Sequence, residues 1–257
     1  MKKELEAFNR LLEIMDELRE KCPWDKKQTM ESLRSLTIEE TYELADAIIK
    51  NDHDELKKEL GDLLLHIVFY AKIGSEKNEF DISDVITGIN QKLVHRHPHV
   101  FGNINVKNSK EVEENWEAIK MKEKDRDNSV LSGVPDSLPA LVKANRVQQK
   151  VRGVGFDWEE RSQIWDKVNE ELNELKAEIE LQKHEKIEEE FGDLFFSLIN
   201  AARLYDIDPE TALERTNRKF IKRFNFLEEQ TLKKGISLKD MSLDEMNVIW
   251  EKAKQFD

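Results

Sequence analysis

Apolar residues recur along this chain at helical spacing. In Ile38–Ile49, Leu44, Ala45, Ile48 and Ile49 share one side of a helix, with acids between them. Residues 55–73 predict a second helix, with Leu60, Leu63, Leu64, Ile67, Val68 and Ala71 as its core face. Ile82–His95 predicts a third, capped by Asp81 or Ser83 and stopped by Pro98. Glu111–Lys124 predicts a fourth. Helices resume at Ala140–Val151, Ser162–Gln182, Ile187–Leu204, Pro209–Lys233 and Ser242–Lys254. The opening stretch MKKELEAFNRLLEIMDELRE threads charge through its apolar positions, which predicts an amphipathic helix and not a signal peptide. No segment alternates as a strand would, so the expected class is all-α.

The helical pattern breaks once, at DRDNSVLSGVPDSLP, residues 125–139, where Gly133, Pro135 and Pro139 stand among Ser, Asp and Asn. This predicts a first module over 1–125, a linker over 126–139 and a second module over 140–257. The modules repeat one another. Glu39, Glu40 and Glu43 precede Glu59 and Asp62; Glu170, Glu171 and Glu174 precede Glu190 and Asp193 with the same step. The second acidic pair opens Leu-Gly-Asp-Leu-Leu in one copy and Phe-Gly-Asp-Leu-Phe in the other. Asn90, Lys92 and Arg96 return as Asn217, Lys219 and Arg223, and Trp116 with Lys120 returns as Trp250 with Lys254. Trp24-Asp25 precedes the first acidic helix roughly as Asp157-Trp158 precedes the second.

Composition narrows the function classes. Apolar residues make up 39% and charged residues 37%, as in a foldable, highly charged chain. The net charge of −13 predicts no direct binding to nucleic acid. A phosphate-ester substrate would need a divalent cation between itself and the protein. The single Cys22 excludes an internal disulfide framework and fits a reducing cytoplasm. No apolar run approaches the roughly 20 residues that span a bilayer.

Residues three or four apart on a helix share a face. Glu171 and Glu174 therefore project together, as do Glu190 and Asp193, and antiparallel packing would converge all four. Such a cluster is costly unless a cation neutralises it, and Mg²⁺ or Mn²⁺ suits all-oxygen ligands. Glu40, Glu43, Glu59 and Asp62 form the equivalent second site. Gly61 and Gly192 beside these acids point to close helix packing or ligand approach. A solvated acidic face is the bland alternative, weakened here by the apolar run Leu194-Phe195-Phe196 and by the repeat. A di-iron centre would need Glu-x-x-His pairs that the chain lacks. His95, His97 and His99 are split by Pro98, which favours a packed or interface role over zinc. Lys219 and Arg223, four apart, suit the terminal phosphates of a polyphosphate. Trp250 with Lys254 suits a base and a further phosphate charge, Trp250 being equally compatible with core packing. Asn217 suits ribose or phosphate, or a turn cap. The equivalent set in the first module is Lys92, Arg96, Trp116 and Lys120.

These residues resemble the MazG nucleotide pyrophosphohydrolases of the all-α NTP pyrophosphatase superfamily. The likeness rests on Glu-Glu-x-x-Glu followed by Glu-x-x-Asp in two tandem modules. CPWD, HRHPHVF, GVGFDW and NRKFIKRF carry it across the chain. It implies Mg²⁺-dependent hydrolysis of nucleoside triphosphates to monophosphate and pyrophosphate, a homodimer, and a role in clearing nucleotides, with family links to ppGpp control. It makes the C-terminal module the main catalytic unit, although the first module keeps every element. It implies Glu171, Glu174, Glu190 and Asp193 as metal ligands, and Lys219, Arg223, Trp250 and Lys254 as triphosphate and base contacts. The expected chemistry is metal-assisted attack of water on the α-phosphorus. Glu171 or Glu174 would be the base, with Lys219 and Arg223 stabilising the leaving pyrophosphate. The alternative from another class is a non-catalytic helical adaptor that retains a nucleotide site.

Overall fold

The computed structural model describes residues 2–108, 111–112, 115–116, 119, 129–233 and 235–256. Among them there is no strand. They form two compact units, Met1–Val112 and Glu113–Asp257. The helix expected over Glu111–Lys124 lies largely outside the described residues, as do residues 126–128 of the expected linker.

In the first unit, α1 (Lys2–Lys21) leads through a 3₁₀ turn, Asp25–Lys27, into α2 (Met30–Lys50) and α3 (His53–Glu76). Then come α4 (Ile82–Arg96) and a single turn, α5 (Pro98–Phe101). Helix α2 starts earlier than its apolar pattern indicates. Thr29 accepts from the Ser32 backbone while the Ser32 hydroxyl accepts from Thr29 N, a reciprocal cap. Asp81 caps α4 in the same way with Asp84, which decides between the two candidate caps. Pro98 does end α4 and then opens the next turn, where its missing N–H costs nothing.

The core of this unit is Met15, Leu33, Val68, Phe69 and Ile73, with Phe8, Leu11, Leu12 and Leu36 packed against it. Arg19 closes the end of the bundle: it pairs with Glu76, donates to the Gln28 carbonyl at 3.1 Å and lies over the Phe69 ring.

The second unit repeats the plan. It contains α6 (Ala140–Arg152), α7 (Gln163–Leu181), α8 (His184–Leu204), α9 (Pro209–Leu232) and α10 (Leu243–Ala253). Helices α7 and α8 pack along their length over Ile164, Val168, Ala201 and Leu204, with Leu194 against them. Arg203, buried, forks onto Asp157 and so pins the loop before α7. Lys150, also buried, donates to the carbonyls of Val130 and Ser132, and this holds the described part of the linker on α6.

The expected core face of α3 needs correction. Leu60, Leu64 and Ile67 are 53%, 40% and 48% exposed. The buried positions are Glu59, His66, Val68, Phe69, Ala71, Ile73 and Gly74. The helix is apolar on two sides, and only one of them meets this chain's core. On α2 it is Ala47 that is buried, while Ile48 is exposed. The second unit shows the same outward stripe at the equivalent positions Phe191, Phe195 and Leu198, with Ile179 answering Ile48. Of the run Leu194-Phe195-Phe196, only Leu194 packs on the core. A Cβ at Gly61 or Gly192 would meet nothing within 4 Å, so packing inside the chain does not explain either glycine.

Gly74 is different. A Cβ there would lie 2.9 Å from the Phe80 ring and 2.9 Å from the Phe80 carbonyl oxygen. Gly74→Ala is expected to lower the unfolding free energy by about 1–3 kcal/mol. Gly88→Ala, into open space, should raise it by about 0.5–1 kcal/mol. Urea unfolding of the two variants checks both signs.

Candidate functional site

Each unit contains a helical hairpin that turns on one residue in the left-handed region. The residue is Asn51, at φ 54°, between α2 and α3, and Gln182, at φ 56°, between α7 and α8. Glu43 and Glu59 stand eight residues to either side of Asn51, and Glu174 and Glu190 eight to either side of Gln182. On antiparallel helices, equal distance from the pivot places residues opposite one another. The hairpin therefore brings the acidic pairs together, and the repeated step in the sequence is this geometry seen in one dimension.

The result is two carboxylate groups. Glu40, Glu43 and Glu59 each offer an oxygen within 4.8 Å of the others, and Glu171, Glu174 and Glu190 do the same. Asp62 and Asp193 stand outside these convergent groups, a turn further along with a side chain one methylene shorter than Glu. Asp62 still acts on Glu40 through its charge. Asp193 is exposed.

The electrostatics record the crowding. Burial, then the carboxylates of Asp62, Glu43 and Glu39, hold the Glu40 carboxyl above its ordinary range, against the opposing pull of His66. Burial pushes Glu59 up to about 7, with Glu55, Glu43 and Glu40 adding to it. In the second unit, desolvation and then Glu171, Glu190 and Glu170 raise Glu174, with Lys167 opposing. Glu59 Oε2 and Glu190 Oε2 are buried without a hydrogen-bond partner. Buried carboxylate oxygens without donors are rare, and a hard cation is the group that satisfies several at once. The donor set thus fits a divalent metal ion.

Among the described residues, the metal-ligating groups of three or more are these two, and no His belongs to either. His97 instead holds its Nδ1 2.7 Å from the Leu93 carbonyl and its ring 5.6 Å from that of His99, a local packing arrangement.

The basic and aromatic residues sit on α9 and α10. Arg223 lies over the Trp250 ring at 5.7 Å, and Phe220 packs on the same indole at 5.0 Å. Trp250 is half-buried and already shared with these side chains, so it orients Arg223 whatever else it binds. Asn217 and Lys219 are exposed, Asn217 being 3.4 Å from Glu214. Lys254 is exposed and pairs with Glu251. Among the described residues, Lys219 and the acidic group share no ion pair; Lys219 stands on α9, which packs on α8, the helix of Glu190, while Glu171 and Glu174 stand on α7. In the first unit Lys92 is exposed and Arg96 half-buried; Trp116, also half-buried, falls within the second unit, beyond Val112. Lys120 lies outside the described residues.

One residue of the site escaped the reading of the sequence. Lys167 reaches Glu170 and Glu171, each at 2.7 Å. Its only signal is the three- and four-residue spacing to those acids, which ordinary surface helices share.

A model of the MazG nucleotide pyrophosphohydrolase domain matches residues 28–101 and 160–226. The two matches contain both acidic groups, Lys92, Arg96, Lys219 and Arg223; Trp116, Trp250 and Lys254 lie beyond them. The chain is 45% identical over 250 residues to the nucleoside triphosphate pyrophosphohydrolase/pyrophosphatase MazG of Thermotoga maritima, covering 96% of this chain and 95% of that one. It is 41% identical over 258 residues to the nucleoside triphosphate pyrophosphohydrolase of Escherichia coli K12, covering 98% of both. The crystal structure of a mazG-related protein from Thermotoga maritima matches 44% of this chain and 99% of its own, at 32% identity and a TM-score of 0.40.

The raised Glu59 carboxyl has a consequence for stability. Its value rises from 4.5 to about 7 on folding, so folding favours the protonated form. That contribution is fully present below pH 4.5 and is lost as pH rises through 7. In chelator-treated protein the melting temperature should fall between pH 5 and pH 8, and Glu59→Gln should flatten the fall.

Proposed function

The chain belongs to the MazG nucleotide pyrophosphohydrolase family, and from that premise we propose how its own residues hydrolyse a nucleoside triphosphate to monophosphate and pyrophosphate. The observation that carries the reading is the convergence of Glu171, Glu174 and Glu190 across the α7–α8 hairpin, with one buried oxygen left without a donor. These three, with Asp193 beside them, would hold Mg²⁺, or Mn²⁺ in its place. Such a cation would neutralise the triphosphate and polarise its phosphoryl oxygens.

The rest falls to the protein. Glu174 is exposed, so its carboxylate is open to a water molecule. It takes the proton of the attacking water, with Glu171 as the other candidate. The water adds to the α-phosphorus, the α–β anhydride bond breaks, and pyrophosphate leaves. Lys219 and Arg223, one turn apart on α9, meet the charge that grows on the leaving group. The indole of Trp250 holds the Arg223 guanidinium in place and offers its remaining surface to the base; Asn217 and Lys254 complete the substrate contacts. Glu40, Glu43, Glu59, Asp62, Lys92 and Arg96 would form a second site of the same kind within the first unit, and the C-terminal unit is the main catalytic one.

The exposed stripes of both units support a homodimer. Each stripe runs at i, i+4 and i+7 on the second helix of a hairpin, as a helix–helix interface requires. Gly61 and Gly192 leave open space on the same helices for such an approach. No described helix is long and apolar enough to cross a membrane. The single Cys22 supports a cytoplasmic location.

Product analysis tests the reading against a binding-only adaptor. With a triphosphate panel and Mg²⁺, the expected products are monophosphate and pyrophosphate. Release of diphosphate and orthophosphate, or binding without turnover, would overturn it. Glu174→Gln should lower kcat by about a hundredfold or more, and Glu43→Gln should leave it largely intact. The opposite pattern would move catalysis to the first unit.

A further inference from the structure

The two carboxylate groups match in residue type and differ in counter-charge. In the second unit the ammonium of Lys167 lies 2.7 Å from Glu171 Oε1 and 2.7 Å from Glu170 Oε1. Glu171 is buried, so this lysine engages a carboxylate that belongs to the group. The first unit has Leu36 at the same place, four residues before Glu40 as Lys167 is four before Glu171. Leu36 packs on the core of its unit and contributes no charge.

Among the described residues, no ion pair reaches Glu40, Glu43 or Glu59. Lys58, the neighbour of Glu59, is turned to Glu55 at 2.6 Å. His66 is buried with Nδ1 2.7 Å from Thr37 Oγ1, and that hydroxyl is also 2.7 Å from the Tyr70 hydroxyl. His66 makes no ion pair with Glu40. Glu59 is 4% exposed, and its Oε2 has no partner although the Glu40 and Glu43 carboxylates converge on it. The first group therefore holds three crowded carboxylates and an orphaned buried oxygen, and among the described residues no lysine or arginine forms an ion pair with them.

We propose that the two groups load cations differently. Glu40, Glu43 and Glu59 take up a free divalent cation without nucleotide. Lys167 is a built-in counter-charge that keeps Glu171, Glu174 and Glu190 from holding a free cation tightly. The C-terminal cation then enters with the nucleotide, whose negative charge offsets the lysine; that last clause rests on the function proposed above. The ion of the first unit joins α2 to α3 across the Asn51 hairpin and is resident, whereas the second is exchanged with substrate. The physical ground is simple. An ammonium paired with a ligand carboxylate competes for its charge and repels an incoming dication, and in a partly buried site such repulsion is screened only weakly.

The test needs neither nucleotide nor turnover, so it stands or fails separately from the hydrolase reading. Metal-stripped full-length protein is titrated with Mn²⁺ while the electron paramagnetic resonance signal of free Mn²⁺ is followed. One tightly held ion per chain is expected. Glu43→Gln should release it; Glu43 is exposed, so its amide leaves the packing undisturbed. Glu174→Gln should retain it. Lys167→Leu, which copies the first unit, should add a second ion held about tenfold or more tighter than the wild-type C-terminal group holds one. The proposal is overturned if wild type holds two equal ions or none, if Glu174→Gln releases the tight ion, or if Lys167→Leu leaves the count at one.

Discussion

The structure depends on a conflict built into each helical hairpin. A left-handed residue turns the chain between two antiparallel helices, and apolar packing then holds those helices side by side. Glutamates at equal distances from the turn are thereby pressed together, although like charges at such range repel. No ion pair among the described residues reaches the first group, which His66 opposes only through its charge at Glu40, whereas Lys167 pairs directly with Glu171 in the second. Apolar burial on the inner faces of α2–α3 and α7–α8 supplies the stability that tolerates this crowding. Burial, with the neighbouring carboxylates adding to it, raises the carboxyls of Glu40, Glu59 and Glu174. The carboxylates are thus oriented in advance of any ligand, which a site that must bind charge quickly requires.

A second consequence follows from the outward face of the same helices. An acidic helix with one apolar side could complete a small bundle alone. Here α3 and α8 each carry a further apolar stripe, Leu60, Leu64 and Ile67 in one and Phe191, Phe195 and Leu198 in the other. The repetition at equivalent positions makes a shared purpose the simplest reading, since scattered surface apolar residues have no reason to recur in register. The first helix of each hairpin supplies acids, and the second supplies both acids and an exposed apolar stripe.

Much of this was legible in the sequence. The repeated step between acids encoded the hairpin geometry, and the absence of alternation excluded sheets. The core face of α3 was not legible, because Leu60, Leu64 and Ile67 are as apolar as Val68 and Phe69, and periodicity cannot rank two apolar sides of one helix. The start of α2 was hidden by a Thr-x-x-Ser cap, a weaker signal than the usual Thr-x-x-Glu. Lys167 was invisible for a different reason: a lysine four residues before a glutamate is ordinary on any charged helix. Only the burial of Glu171 and its convergence with Glu174 and Glu190 give it meaning. The placement of Asp62 and Asp193 outside the convergent groups likewise depends on side-chain reach, which spacing alone does not report.

On the proposed function, the C-terminal carboxylate seam directs water to the α-phosphorus of a bound triphosphate. Hydrolysis in water enriched in oxygen-18 tests it most directly. One labelled oxygen is expected in the monophosphate product and none in the pyrophosphate. Label in pyrophosphate or in orthophosphate would place the attack on a different phosphorus and contradict it.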